Sequence, residues 1–218
     1  MAPSSLSRRS LLAGGGVGLT LLLAACSTGP AGGSASSSSA GASSSDAAGG
    51  DAAFPRSIEH VYGTTEIPQR PARVATVSWV NQDVALALGV VPVGVAAVEF
   101  GGNAEKSTDW FDAKVSELGG QTPKVMDESD GVNFTDIAEL SPDLIVAVNS
   151  GVTREEYDRL TKIAPVVAYP TGPWVNSWQD MQRVTAKALG RSAAGDELVS
   201  RTEELVSRRS DELGAAKG

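Results

Sequence analysis

Four short apolar runs are spaced along the chain after residue 70. They are rich in Val and Ile and lack the polar and apolar alternation of a half-exposed strand: Arg73–Ser78, Val91–Ala97, Leu144–Val148 and Val166–Tyr169. Continuous apolar runs of this length are typical of parallel strands that are buried on both faces. We therefore predict a parallel sheet built from these runs.

Segments with helical features lie between the apolar runs. Asn81–Leu88 and Asp109–Leu118 each precede a glycine, a usual helix terminator. Thr153 and Glu156 have the spacing of a capping box, and a short helix is predicted over Thr135–Leu140. Strands that alternate with helices predict an α/β fold with a doubly wound, mostly parallel sheet.

The pattern changes after Tyr169, where two consecutive helices are predicted with no strand between them. The apolar face of the first is formed by Trp178, Met181, Val184, Thr185 and Ala188. The apolar positions of the second are Leu198, Leu205, Val206 and Leu213. We expect residues 191–218 to form a long helix followed by a loop-like end.

Residues 1–25 have the pattern of an export signal. Arg8 and Arg9 precede an uncharged stretch, Ser10–Ala25, of about sixteen residues that is rich in Gly and Ala. A spanning helix needs roughly twenty strongly apolar residues, so this stretch is not expected to be a permanent anchor. The paired arginines are typical of the twin-arginine pathway, although a general secretory signal with two arginines has the same pattern.

Cys26 is the only cysteine of the chain, and it directly follows Leu23, Ala24 and Ala25. This junction resembles the lipobox of bacterial lipoproteins, in which the cysteine carries the lipid; the alternative is a buried free thiol. Residues 26–56 are then a Ser-, Ala- and Gly-rich tether that is too poor in apolar residues to fold. The predicted location is the extracytoplasmic face of the cell membrane, with Cys26 as the anchor.

The residues after the tether are enough for one ordinary domain, which we predict over residues 57–190. The chain contains 18 Lys and Arg against 26 Asp and Glu, a formal net charge of −8. An acidic chain without a basic stripe is not expected to bind nucleic acid.

No catalytic constellation is found in the sequence, so we predict neither an enzyme nor a resident cofactor. The single histidine, His60, has no cysteine or second histidine with which to share a metal, and it is expected at the surface or the edge of the core. Asp127, Glu128 and Asp130 could coordinate a hard cation. Their spacing is not ordered, which favours a solvated turn over a metal site.

In an open parallel sheet, ligands bind outside the carboxyl ends of the strands. Three of the predicted strands are followed there by the large aromatic residues Trp79, Phe100 and Trp174, and the Leu144 strand is followed by Asn149 and Ser150. One aromatic residue alone would indicate loop packing as readily as binding. Several that converge on one rim favour a wall for a bulky ligand with apolar surface.

Four segments resemble motifs of the class III solute-binding proteins for iron-siderophore and related chelates. These segments are the opening hairpin Ile58–Pro68, the turn Ala87–Val95, the Leu-x-Pro-Asp-Leu-Ile element within Asn133–Ile145, and the strand entry Ile163–Val167. Each motif is weak alone, but together they cover the chain from about Ser57 onward.

The resemblance implies the N-terminal lobe of a two-lobed protein, with residues 191–218 matching the helix that connects the lobes. The second lobe is expected to be missing from this chain. By resemblance, Trp79, Asn149, Ser150 and Trp174 lie around a pocket for a hydroxamate-type chelate.

Two positions depart from the family pattern. The acidic residue that docks the permease is replaced by Thr135, which leaves Asp136 and Glu139 as substitutes. The Arg that some relatives aim at the chelate has only a loose match in Lys106.

The function implied is capture of a ferric siderophore of the hydroxamate type and its delivery to the permease of an ABC importer. The deficit of basic residues near the predicted rim disfavours highly anionic catecholate chelates. Two alternatives stay open, namely transport of haem or a corrinoid, and a truncated surface lobe without transport activity.

Overall fold

The computed structural model describes residues 53–215. The predicted export signal, the lipid attachment site Cys26 and the tether up to residue 52 lie outside the described residues. Within the described range, no helix is both long enough and apolar enough to cross a membrane.

The described part of the chain consists of short strands that alternate with helices. The strands are β1 Arg56–His60, β2 Gly63–Ile67, β3 Val74–Thr76, β4 Gly94–Ala96, β5 Lys124–Met126, β6 Leu144–Ala147 and β7 Val166–Ala168. The helices are α1 Asn81–Ala87, α2 Asp109–Glu117, α3 Phe134–Glu139, α4 Arg154–Leu160, α5 Trp178–Ala188 and α6 Ser192–Ala215.

Five of the strands form a parallel sheet in the order β5-β4-β3-β6-β7, and β1 and β2 form a separate antiparallel hairpin. The register pairs Val74 with Leu144 and Ala75 with Gly94. The predicted α/β fold with a parallel sheet is therefore confirmed. Strand β5 has no counterpart among the predicted runs, because it begins with Lys124 and has only two apolar residues, Val125 and Met126.

Alternate residues of β6 face two different hydrophobic cores. Leu144 and Val146 face the layer that contains α1 and α5, whereas Ile145 and Ala147 face the layer that contains α3 and α4. Helices thus cover both faces of the sheet, which is the doubly wound arrangement and explains why the strands are apolar without alternation.

The helix ends follow the chemistry that the sequence indicates. Gly89 and Gly119 follow α1 and α2 with φ angles of 75° and 64°, which a residue with a side chain adopts only at a cost. At the start of α4, the Thr153 side chain and the Glu156 side chain each accept a backbone N–H of the other residue. The predicted capping box is confirmed.

The last described element is the long helix α6, which packs on α5 through its first turns. Gly195 lies against Ala186 with no room for a side chain. Further along, Leu205, Val206 and Leu213 are 47%, 60% and 65% exposed. The long C-terminal helix is confirmed, and its apolar positions beyond residue 200 face solvent.

Candidate functional site

Two cavities open side by side at the rim, which we define as the loops that follow β3 to β7. The first, the Trp79 cavity, has a volume of about 340 Å³ and is lined by Ser78, Trp79, Ala96, Glu99, Phe100 and Glu128. The second, the Trp174 cavity, has a volume of about 280 Å³ and is lined by Ser78, Glu128, Gly151, Val152, Glu156 and Trp174. Ser78 and Glu128 line both cavities, so they form a shared floor.

Exposed aromatic side chains form walls of both cavities. Trp79 is 54% exposed and Phe100 is 83% exposed, and both line the first cavity. Trp174 is 54% exposed and lines the second. The structure therefore brings the three predicted aromatic residues to one rim, but divides them between two adjoining cavities.

Backbone conformations that L residues rarely adopt are concentrated at this rim. Ser78 and Val80, which flank Trp79, have φ angles of 68° and 56°, and Trp174 itself has a φ angle of 61°. A left-handed backbone costs a residue with a side chain about 1 kcal/mol or more. Surrounding contacts must hold these residues in place.

Asn81, the first residue of α1, provides such contacts for the loops after β3 and β6. Its buried amide nitrogen donates to the carbonyls of Val77 and Asn149 at 2.8 and 2.9 Å, and its amide oxygen accepts the Asn149 N–H at 2.9 Å. The sequence interpretation missed Asn81. Its one signal is a polar residue placed where a buried strand passes into a helix.

The two polar residues predicted beside the pocket have different roles. The Asn149 side chain donates to the Trp79 carbonyl at 3.1 Å and so helps to position the aromatic wall. Ser150 is fully buried, and its hydroxyl donates to the Ala147 carbonyl at 2.7 Å. The expectation that Ser150 faces a ligand is wrong, because its hydroxyl closes the turn beneath the rim.

Two sets of contacts hold the loop that carries Trp174 in place. Gly151 lies so close to the indole that a β-carbon there would approach Nε1 to 2.5 Å. The Asn176 amide donates to the carbonyls of Val148 and Gly172 at 3.3 and 3.1 Å. The loop after β7 is thus tied to the loop after β6.

Two tyrosines support the turn next to Gly151. The Tyr62 hydroxyl donates to the Val152 carbonyl at 2.6 Å, and the Tyr169 hydroxyl lies 3.0 Å from the same carbonyl oxygen and 2.7 Å from the Tyr62 hydroxyl, to which it can donate. Burial, and then the hydrogen bond with Tyr169, raise the pKa of Tyr62 to about 12, so it stays protonated. This network joins the β1–β2 hairpin to the Trp174 cavity.

Glu128 is the most unusual charged residue of the rim. One carboxylate oxygen accepts the Ser78 N–H at 2.9 Å. The other is buried, and no donor for it is found among the described residues. Burial raises the pKa of Glu128 to about 7, opposed by the Ser78 hydrogen bond and assisted by the negative charge of Glu156.

The remaining acidic residues of that loop behave as predicted for a solvated turn. Asp127 and Asp130 are exposed, and the Ser129 N–H donates to Asp127 at 2.9 Å, which lowers the pKa of this carboxyl. Glu128 departs from the prediction because its side chain turns inward. Among residues 53–215, no cluster of three or more His, Cys, Asp or Glu could hold a metal ion.

His60 and Lys106 each have a local partner. His60 is buried at the hairpin, where its Nε2 lies 2.9 Å from the Thr65 hydroxyl, and burial lowers its pKa. The Lys106 ammonium lies 3.0 Å from the Glu99 carboxylate, which raises the pKa of the lysine. The Lys106 ammonium is therefore paired with Glu99 in this structure.

The two acidic residues of α3 share one basic partner. The Lys124 ammonium lies 2.8 Å from Asp136 and 3.1 Å from Glu139. The Asp136 side chain is 25% exposed and that of Glu139 is 64% exposed. Glu139 is thus the more accessible of the two predicted docking residues.

Residues 74–212 match the model of the periplasmic binding protein family. The chain belongs to this family. The match covers the parallel sheet, both layers of helices and most of α6. The proteins that it resembles include PiaA of Streptococcus pneumoniae, an iron uptake ABC transporter substrate-binding protein.

Among relatives of known sequence, the Bacillus subtilis protein named "Probable siderophore-binding lipoprotein YfiY" is 29% identical over 160 residues, which are 73% of this chain and 46% of that protein. Among solved structures, Streptococcus pneumoniae PiaA in complex with ferrichrome is 43% identical, with a TM-score of 0.68 over 72% of this chain and 52% of that chain. Staphylococcus aureus SirA complexed with staphyloferrin B is 33% identical, with a TM-score of 0.58 over 70% and 48%. The chain spans about half the length of these relatives.

Proposed function

We propose that this protein is an exported lipoprotein that captures a ferric siderophore of the hydroxamate type and delivers it to the permease of an ABC importer, without chemical change to the ligand. The observation that carries the proposal is the pair of adjoining cavities walled by Trp79, Phe100 and Trp174 at the carboxyl ends of the parallel strands. Ligands of open α/β sheets bind at this edge.

The chemistry of the cavities supports a bulky ligand without net negative charge. Their walls are aromatic, and among the described residues that line them the charged ones are acidic: Glu99, Glu128 and Glu156. A carboxylate repels an anionic chelate, and Arg or Lys would be expected for one. In a ferric trihydroxamate, three hydroxamate anions balance the charge of Fe³⁺, which fits such a site.

The relatives support a ferric siderophore as the ligand, and PiaA supports the hydroxamate type. PiaA is solved with ferrichrome and SirA with staphyloferrin B, and both are more than 30% identical to this chain over the shared region. Because the chain spans about half of each, the activity of the whole proteins is part of the proposal.

Delivery requires a surface that the permease can contact. Within the proposal, α3 provides it through Glu139 and Asp136, of which Glu139 is the more exposed. Lys124 forms ion pairs with both carboxylates. Replacement of Glu139 with Lys is expected to reduce import while leaving ligand binding unchanged, as measured by uptake of radioactive iron chelate in cells.

Calorimetric titration of the full chain with a small panel of chelates tests the proposed function. The panel contains ferrichrome, ferric staphyloferrin B, haem, a corrinoid and iron-free ferrichrome. We expect saturable binding of ferrichrome, with weaker binding of the anionic chelate and of the iron-free form. Preference for haem or the corrinoid would support transport of another chelate, and no binding of any member would support a surface lobe without transport activity.

A further inference from the structure

Glu128 lies where a ligand that fills both rim cavities has to cover it. Its carboxyl is on the floor shared by the Trp79 cavity and the Trp174 cavity. One oxygen accepts the Ser78 N–H at 2.9 Å, and the other is buried with no donor among the described residues. An ionised carboxylate in this position would keep an oxygen without hydrogen bonds beneath the ligand, which is unfavourable.

The charged groups around Glu128 do not neutralise it. Glu156, at the start of α4, lines the Trp174 cavity with it, and Glu99 lines the Trp79 cavity. Lys106 is paired with Glu99 at 3.0 Å, and its charge also acts on Asp127, so it is engaged with these two carboxylates. Asp127, the neighbour of Glu128 in the chain, is exposed and acidic.

Among the described residues, no Lys or Arg lines either rim cavity, and Arg154 at the start of α4 is paired with Asp158 at 2.9 Å. The local electrostatic environment of Glu128 is therefore negative and poorly solvated. Both features favour a proton on Glu128 over an ionised carboxylate.

Resting on the proposed function, we propose that Glu128 is a specificity-determining residue that selects the charge of the ligand. A neutral chelate that covers both cavities is bound with Glu128 protonated, and an anionic chelate is disfavoured as long as Glu128 is ionised. The step is proton uptake: the carboxylate takes one proton from solvent when the ligand covers it, and releases it when the ligand leaves.

The protonation of Glu128 and the binding of the ligand are linked, because each one favours the other. Burial already raises the pKa of Glu128 to about 7 in the free protein. A ligand removes the remaining solvent and raises the pKa further, so binding of a neutral chelate favours the protonated form. The affinity for a neutral chelate is then highest below pH 7. It decreases above pH 7, because Glu128 is increasingly ionised in the free protein and binding has to include the uptake of a proton.

The substitution Glu128→Gln separates the charge from the shape of the side chain. Glutamine keeps an oxygen that can accept the Ser78 N–H, and it does not titrate. The matched control is Asp130→Asn, which removes one negative charge from the same loop at an exposed position that lines neither rim cavity.

The test is calorimetric titration of the full chain with ferrichrome between pH 6 and pH 8, in two buffers of different ionisation enthalpy. We expect the parent protein and Asp130→Asn to bind about tenfold more weakly at pH 8 than at pH 6, with uptake of up to one proton. Glu128→Gln is expected to bind with the same affinity at both pH values and without proton uptake.

Two outcomes would contradict the inference, and they differ. If all three proteins bind ferrichrome with the same pH dependence, Glu128 does not take up a proton on binding and the inference fails, while the proposed function stands. If none of them binds ferrichrome at any pH, the proposed function fails and the inference with it. Circular dichroism of each variant confirms that the comparison is between folded proteins.

Discussion

The indole of Trp174 packs against the backbone of Gly151, where a β-carbon would lie 2.5 Å from the indole Nε1. The two residues belong to the loops after β7 and β6, which are adjacent strands of the sheet. The absence of a side chain at residue 151 therefore sets how closely the aromatic wall approaches the sheet.

Replacement of Gly151 with Ala is expected to displace Trp174 from this position. The added methyl group meets the rigid indole ring, and the loop has to move by about 1 Å to restore van der Waals contact. We expect the affinity for ferrichrome to decrease at least severalfold, as measured by titration. Gly214→Ala in α6 is the control, because a β-carbon there meets nothing within 4 Å; equal affinity of both variants would contradict the role of Gly151.

Glu128 also makes the stability of the protein dependent on pH. The pKa of its carboxyl is about 7 when folded, against an ordinary value of 4.5. Between these values the folded protein holds a proton that the unfolded chain releases, so stability decreases as pH rises from about 4.5 to 7 and stays low above that range.

Glu128→Gln removes this dependence. We expect the variant to be more stable than the parent protein by about 2 kcal/mol at pH 8 and equally stable near pH 4, as measured by urea denaturation. A variant that is less stable at pH 8 would show that the ionised carboxylate has a stabilising partner.

The Tyr62 hydroxyl is expected to contribute to the stability of the turn at Val152. Tyr62→Phe removes its hydrogen bonds to the Val152 carbonyl and to Tyr169, which are 2.6 and 2.7 Å long. A loss of about 1 kcal/mol in the free energy of unfolding is expected. Tyr157→Phe is the control, because the hydroxyl of Tyr157 has only long contacts of 3.4 Å; an equal loss for both variants would contradict the specific role of Tyr62.

Cys26 is predicted to carry the lipid anchor, on the basis of the Leu23–Cys26 junction. Two acyl chains give stable membrane association that one chain does not. We expect Cys26→Ser to move the protein from the membrane fraction to the soluble fraction of expressing cells. Unchanged membrane association of this variant would show that the junction is not a lipidation site.

Much of the fold follows from local patterns in the sequence. The buried strands around Val74 and Leu144 are continuous apolar runs, and the helices begin and end at capping residues and glycines such as Thr153 and Gly89. Each of these signals consists of residues that are close together in the chain, so the sequence alone is enough to recognise it. Strand β5 could not be predicted in this way, because it gains its place from pairing with β4 and not from its own composition.

The candidate site was predictable only in part. Aromatic residues after strand ends indicate a rim, and Trp79, Phe100 and Trp174 are found there. Glu128 and Ser150 were not predictable, because their burial depends on loops that are distant in the chain. In the sequence, the position of Glu128 between two aspartates favours a solvated turn. Its burial arises only when the loops of the rim assemble around it.

A fluorescence titration with ferrichrome shows whether the aromatic side chains of the rim contact the chelate. Replacement of Trp110 and Trp178 with Phe leaves Trp79 and Trp174 as the two indoles of the chain, which contains four tryptophans. A ferric chelate that contacts these indoles should quench them. We expect saturable quenching with one ferrichrome per chain. We also expect the affinity to be at least tenfold lower after replacement of Trp79 and Trp174 with Ala in the parent chain, as measured by calorimetry. Ferrichrome binding with unchanged affinity in that double variant would contradict the binding role of these two indoles.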